Sequence, residues 1–303
     1  EHAKFTKVFG FKTLEDPFTK KIIDRPQDPV GASNTRHSMA KVLYSRLFDW
    51  LVCRINQSMS AKTNAKETRK IGILDIYGFE VFDSNSFEQL CINFANEKLQ
   101  QHFNSHMFTL EQQLYNEEGI AWSHIHWQDN REIIDSLEKK PLGLFCLLDT
   151  ECLMPNASDT TCLNKIYASF KTSKIVYKPT LFASTNFAVA HYAGEVVYDI
   201  LSFLEKNTDK LHADIMRLFK DSQNALVKSL FSDPRFAPEL AVGVAAGGAR
   251  PAPKRGATFT ARGGATAGGD RAKQNVTVSM NFRQELDKLV EDLNKTNPRY
   301  IRC

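Results

Sequence analysis

Apolar residues recur with helical spacing at Met39, Val42, Leu43, Leu47, Leu51 and Ile55, which predicts an amphipathic helix over residues 38–56. A polar turn over residues 58–69 follows. The next run, Ile71-Gly72-Ile73-Leu74, is continuously apolar and predicts a buried strand that ends at Asp75. Between residues 79 and 118 there is no glycine or proline. Apolar residues fall at Phe87, Leu90, Cys91 and Phe94, then at Phe103, Met107, Leu110 and Leu114. Asn85 with Glu88 three places on has the spacing of a capping box. One helix is therefore predicted over residues 86–116, roughly 45 Å long at 1.5 Å per residue. The alternation in "NFAVAHYAGEVVYD" predicts two short strands about a turn at Ala193-Gly194. Helical spacing resumes over residues 280–294, with Phe282, Leu286, Leu289, Val290 and Leu293 on one face, and Asn297-Pro298 stops it.

With 303 residues, 42% of them hydrophobic, the chain is long enough for one large domain or two. Its six cysteines form no C-x-x-C pair and sit mostly among apolar neighbours. That favours reduced, buried thiols over disulfides or zinc and predicts a cytosolic protein. The longest apolar run, near residues 142–148, is far short of a membrane span, and the charged start is no signal peptide. The net charge of +4 is local. Residues 233–273 hold seven Lys/Arg and three Asp/Glu, so the rest of the chain balances. The same segment contains eight of the fifteen glycines. Such a composition cannot offset its ordering entropy by burial, so a flexible basic loop facing an acidic partner is expected.

The predicted strand delivers Asp75, Gly78 and Glu80 in the order Asp-Ile-Tyr-Gly-Phe-Glu. An aspartate at a strand's carboxyl end can reach Mg²⁺ through water. A glycine amide three residues later can approach a phosphate because no Cβ intervenes. Gly and Asp also dominate ordinary turns, so Asp-x-x-Gly alone fits a plain strand-to-turn segment too. The long helix beyond it favours the phosphate sensor, since a small loop movement would swing the helix's distant end.

The stretch "GILDIYGFEVFDSNSFEQLCINFANEKLQQHFNSHMF" resembles the switch II and relay helix of myosin motor domains. "KVLYSRLFDWLVCRIN" resembles the preceding helix and "EEGIAW" the relay loop with its tryptophan, here Trp122. "LLDTECLMPNASDTT" is similar to the actin-binding helix-loop-helix. "FAVAHYAGEVVYDILSFLEKN" is similar to the strands beyond it, and "NPRYIRC" to the segment that leads to the reactive-thiol helices. The resemblance covers nearly all of residues 36–303 apart from the basic loop. It implies an α/β, P-loop NTPase-type fold, with part of a central mixed sheet, a long relay helix and the walls of an actin-binding cleft. Residues 1–70 would belong to the upper wall, 71–85 to the switch II strand and loop, and 86–130 to the relay helix and loop. Residues 131–231 would form the lower wall, 232–275 the basic surface loop, and 276–303 the helix and strand toward the thiol helices.

The resemblance also implies roles for single residues. Asp75 would sit in the outer shell of Mg²⁺, the Gly78 amide would bind the γ-phosphate of ATP, and Glu80 would pair with a switch I arginine around the attacking water. Phe87, Phe103 and Trp122 would carry the state of that site along the relay. Leu153, Met154, Pro155 and Asn156 would dock on filamentous actin; read without the family, Leu153 and Met154 could equally pack inward. Arg250, Lys254, Arg255 and Arg262 of the basic loop would meet actin's acidic face.

The expected function is an actin-activated, Mg-ATP-dependent motor of the cytoplasmic actin cytoskeleton. The reading from another class is an actin tether that has lost ATP turnover. No G-x-x-x-x-G-K-[ST] phosphate loop occurs in the 303 residues, so the chain is expected to be an internal fragment, inactive alone. Light chains or calmodulin would bind a region after Cys303. Many family members carry an acidic or phosphorylatable residue near the place occupied here by Lys21, with Thr19 and Asp24 close by. His102 and His106 lie one helical turn apart but lack the glutamate of H-E-x-x-H, so no direct metal ligand is assigned. The basic loop has Phe259 as its interior aromatic, a poor stacking platform, which argues against nucleic acid. No membrane contact is expected.

Overall fold

The computed structural model describes residues 2–15, 21–59, 71–121, 123, 127–180, 184–208, 213–233, 235 and 277–301. The chain divides into two compact units, residues 1–71 with 210–265 and residues 72–209 with 266–303.

In the first unit a short helix, α1 (His2–Gly10), leads into an antiparallel hairpin of β1 (Phe11–Glu15) and β2 (Ile22–Pro26). The next helix, α2 (Pro29–Met59), begins well before the predicted residue 38. Asp28 explains the early start: its Oδ1 accepts the Gly31 N–H at 2.7 Å, and Pro29 fills a first-turn position that needs no N–H. Met39 and Val42 pack on Ile215, Leu218, Phe219, Leu230 and Phe231 of α9 (Ala213–Lys220) and α10 (Ala225–Ser232). Buried Arg46 donates to the Leu230 carbonyl at 3.2 Å and lies 4.3 Å from the centre of the Phe231 ring. Leu47, Leu51 and Ile55, predicted on the same apolar face, are exposed. The cluster with α9 and α10 engages the helix chiefly at Met39, Val42, Leu43 and Trp50.

The second unit is built on a helical run from Phe87 to Glu117. The run consists of α3 (Phe87–Asn104), a π-helical segment (Ser105–Leu110) and α4 (Glu111–Glu117). The extent agrees with the sequence reading, but the run is not one uniform α-helix. Its cap also differs from the predicted one. The N-cap is Ser86, whose N–H donates to Gln89 Oε1 at 3.0 Å. Asn85 instead accepts the Phe82 N–H at 2.8 Å and donates to the carbonyls of Phe82 and Val197 at 2.8 and 3.0 Å.

A three-stranded antiparallel sheet lies beside this run, in the order β3 (Val176–Tyr177), β4 (Asn186–His191), β5 (Gly194–Asp199). Its hairpin turns at Tyr192-Ala193, one residue earlier than predicted, because His191 pairs directly with Gly194. Gly194 has φ +148°, a conformation that suits glycine. The helices α5 (Arg131–Glu138), α6 (Leu144–Cys152), α7 (Asp159–Ser169), α8 (Phe203–Asn207) and α11 (Val278–Asn294) complete the unit. Leu90, Phe94, Phe145, Leu148, Phe187 and Phe203 are fully buried at its centre. Burial, aided by the Glu88 carboxylate, pushes the Cys91 thiol up to about 12, and burial with Glu151 does the same to Cys162. Both therefore stay protonated at neutral pH, and both are free cysteines, in line with the reduced thiols expected from the sequence.

No mixed sheet is present among the described residues, and the strand expected over residues 71–75 is not formed. These residues have no regular structure, with Ile71 98% and Ile73 96% exposed. A buried strand takes its backbone hydrogen bonds from neighbouring strands, and the described residues place none beside this segment. Both sheets among the described residues are antiparallel.

Gly143 joins α5 to α6 where an added Cβ would lie 2.6 Å from the Lys139 nitrogen and 2.7 Å from the Glu138 carbonyl carbon. These are backbone atoms and cannot rotate away. Gly143→Ala is expected to destabilise the second unit by about 2 kcal/mol. The check is thermal unfolding of the parent protein, where the midpoint should fall by about 5 °C.

Candidate functional site

Asp75 and Gly78 are exposed, and no atom lies within 4 Å of the place a Gly78 Cβ would occupy. The main chain at Gly78 is thus open to a ligand. Glu80, two residues on, is half-buried and fixed to α3. Its N–H donates to Asn93 Oδ1 and its carbonyl accepts from Asn93 Nδ2, each at 2.8 Å. Gln89 Nε2 donates to Glu80 Oε2 at 3.3 Å, and Asn96 Nδ2 donates to the Tyr77 carbonyl at 3.0 Å. Phe79 meets the His191 ring edge-on at 5.3 Å. The loop is therefore held by the first turns of the helix that follows it.

Behind Asn93 runs a buried chain of polar groups. Asn93 Nδ2 also donates to the Tyr198 hydroxyl at 2.9 Å, and that hydroxyl meets His191 Nε2 at 2.8 Å. His191 Nδ1 meets Glu97 Oε1 at 3.0 Å. Glu97 also accepts from the Tyr192 N–H at 2.8 Å and from Asn130 Nδ2 at 2.6 Å. Since Asn93 donates to the tyrosine oxygen, the hydroxyl proton is left to point to His191 Nε2, and a proton on His191 Nδ1 points toward Glu97. Asn130 Oδ1, at the end of the chain, is buried without a hydrogen-bond partner among the described residues. Burial raises the Tyr198 phenol well above its ordinary range and keeps it a hydroxyl donor.

Phe87 is buried and edge-on to Phe203, with ring centres 5.6 Å apart. Phe103, at the other end of α3, is edge-on to Tyr300 at 4.9 Å and to Phe108 at 6.3 Å. His102 bonds the Tyr300 hydroxyl through Nδ1, and His106 lies against the same ring. Burial, opposed by a hydrogen bond with Asn294, leaves the His102 imidazole below its ordinary pKa. Trp122 lies outside the described residues, as do Arg250, Lys254, Arg255 and Arg262 of the basic segment.

Leu153, Met154, Pro155 and Asn156 form the exposed connection between α6 and α7, with Leu153 49% and Met154 48% exposed. Asn156 has φ +60°, which its short polar side chain tolerates. The connection is anchored at both ends. Ser158 caps α7 by accepting the Thr161 N–H at 3.1 Å, and Asp159 accepts the N–H groups of Ser202 and Leu204. Buried Glu151 accepts from Thr161 Oγ1 at 2.5 Å and pairs with Lys165. Below α6, the carboxylate of buried Asp149 collects Arg283, Asn207, Thr277 and Ser279.

Sequence reasoning singled out Asp75, Gly78 and Glu80 but missed Gln89, Asn93, Glu97, His191 and Tyr198. A signal was present. Gln89, Asn93 and Glu97 follow one another at four-residue intervals, a polar row inside an otherwise apolar helix face.

For Glu151, burial by itself would raise the pKa; the hydrogen bonds from Lys165 and Thr161 outweigh it and hold the carboxyl below 4.5. The stability it contributes is complete above pH 4.5 and is lost as pH falls through the lowered native value. The protection of the amides over residues 153–161, measured against the intrinsic exchange rate at each pH, should therefore fall on acidification through this range. In Glu151→Gln the protection should already be low at pH 7 and respond less to acid.

The chain matches the family model described as myosin head (motor domain) over residues 2–303. It is 41% identical to Myosin-9 of Arabidopsis thaliana over 299 residues, covering 96% of this chain and 17% of that protein. It is 42% identical to Myosin-6 of Arabidopsis thaliana over 301 residues, covering 96% and 18% respectively. It is 39% identical to the high molecular weight form of myosin-1 of Acanthamoeba castellanii over 300 residues, covering 96% and 17%. The chain spans less than a fifth of the length of these curated relatives. With a family match along nearly its whole length, the chain belongs to the myosin head (motor domain) family.

Proposed function

We propose that this chain is the switch, relay and actin-binding part of a motor that couples Mg-ATP hydrolysis to movement along actin filaments. The carrying observation is the loop with Asp75, Gly78 and Glu80, held by Asn93, Gln89 and Asn96 at the start of a helical run that reaches residue 117. A loop bonded to a helix in this way cannot change conformation without changing its bonds to that helix.

The loop fits a magnesium-bound nucleoside triphosphate. A solvent-facing carboxylate and an unobstructed main-chain N–H stand three residues apart, as a metal and its phosphate need. Mg-ATP, when bound, supplies the phosphoryl group and the cation that neutralises it. Asp75 would hold water around the cation, the Gly78 N–H would donate to the γ-phosphate, and Glu80 would position water beside it together with an arginine from switch I. The phosphate-binding lysine and that arginine come from outside residues 71–85. No G-x-x-x-x-G-K-[ST] phosphate loop occurs in residues 1–303, which alone are therefore expected to turn over ATP poorly or not at all.

The second face is the α6–α7 connection. Leu153 and Met154 stand half-exposed on a connection anchored by Ser158, Asp159 and Glu151. Apolar residues displayed on so rigid a support suit stereospecific docking on actin. Arg250, Lys254, Arg255 and Arg262 would add electrostatic steering toward actin's acidic surface, raising the encounter rate above all. The place of action is the cytoplasmic actin cytoskeleton, with light chains or calmodulin on a separate region of the motor. Among the described residues no helix is long and apolar enough to cross a membrane.

The first test is co-sedimentation of the full motor with filamentous actin, with and without Mg-ATP. The proposal requires binding that ATP releases. Binding indifferent to ATP would instead identify an actin tether, and absence of binding would remove the actin assignment. Site variants of the same motor test the switch. The space around Gly78 accepts a methyl group, so Gly78→Ala should fold normally yet keep the N–H from its phosphate. Glu80→Ala should bind ATP normally. Both should lose actin-activated turnover by about 100-fold or more. Normal steady-state ATPase in either variant would sink the switch assignment.

A further inference from the structure

The Glu80 carboxylate has a partner here that its proposed role in hydrolysis does not use. Gln89 Nε2 donates to Glu80 Oε2 at 3.3 Å, while Oε1 of the same side chain accepts the Ser86 N–H at 3.0 Å. One amide in the first turn of α3 thus caps the helix and holds the carboxylate. Asn93, one turn further on, holds the Glu80 peptide group through both its N–H and its carbonyl. The grips differ in strength. The peptide grip is two short bonds from a fully buried asparagine, itself fixed by Tyr198. The carboxylate grip is one long bond from a neutral donor.

A guanidinium offers a carboxylate two parallel charge-assisted bonds, which outcompete a single neutral amide. We propose that Gln89 is the resting partner of the Glu80 carboxylate, a positioning residue that competes with the switch arginine, while Asn93 keeps the Glu80 peptide in place as the carboxylate changes partner. This inference rests on the reading of Glu80 given under the proposed function. It makes the first turn of α3 part of the balance between resting and hydrolysing states. Weakening Gln89 then favours hydrolysis, the opposite of what damage to a structural residue does.

The test uses the full motor in single-turnover experiments that measure the ratio of hydrolysed to unhydrolysed bound nucleotide, together with the rate of ATP binding. Gln89→Glu keeps an oxygen to accept the Ser86 N–H, but it replaces the donor to Glu80 with a repelling charge. The ratio should rise about tenfold or more, the size of one hydrogen bond to a charged group, with ATP binding unchanged. Gln89→Met, which removes the donor without adding charge, should raise the ratio less; if Gln89→Glu fails to fold, this variant decides. An unchanged or lowered ratio overturns the proposal. Glu80→Ala is measured alongside. If it hydrolyses ATP normally, the reading of Glu80 has failed and this inference goes with it. If it stops hydrolysis while the Gln89 variants leave the ratio unmoved, the Gln89 assignment alone is wrong.

Discussion

A fully buried asparagine must find partners for two donor hydrogens and an acceptor oxygen, because an unmatched buried polar group costs about as much as a hydrogen bond is worth. Asn93 meets that requirement with the Glu80 peptide on one side and the Tyr198 hydroxyl on the other. The second unit is organised around this need. Tyr198 requires a neighbour in turn and finds His191 across the hairpin, and His191 finds Glu97 one turn along α3 from Asn93. Loop, helix and sheet are thereby fixed to one another by groups that have no water to fall back on.

A second knot of the same kind lies under the exposed connection. The Asp149 carboxylate ties α6 to α8 and to the start of α11 through Asn207, Thr277, Ser279 and Arg283. Removing one partner from such a cluster leaves the rest buried and short of bonds, so it holds as a whole. Both knots sit directly behind the surfaces assigned to ligands. The rigidity of those surfaces comes from buried polar groups as much as from the apolar core.

What the sequence disclosed follows from which signals are local. Helical spacing located α2, α3 and α11, and alternation located β4 and β5, because each pattern is written in consecutive residues. The start of α2 was missed although Asp28-Pro29 marks it, because the apolar period begins later. Strand β3 has two residues, too few for any period to show. The cap was placed on Asn85 since Asn and Ser are equally good caps; the Asn85 side chain is taken up instead by Phe82 and by the carbonyl of Val197, 112 positions away. The strand predicted over residues 71–75 depended on neighbours that local sequence does not contain. For the candidate site, Asp75, Gly78 and Glu80 could be nominated from the sequence because they stand close together in it. The chain from Asn93 to Glu97 through Tyr198 and His191 was not, because it is assembled by a hairpin that returns to the helix.

The π-helical segment at Ser105–Leu110 interrupts the run that joins the loop to its far end. Each α-helical residue advances about 100° around the axis, and a π turn takes up one extra residue in its hydrogen-bonded ring. The two α-helical sections are therefore out of phase by about one residue. If those five-residue rings tightened to four, α4 would turn by roughly a quarter of a revolution while neither section changed internally. Each residue of α4, Leu114 among them, would then face the direction that one of its chain neighbours had faced. The run is better described as a shaft with a coupling in it than as a rigid rod: push at one end can emerge as rotation at the other.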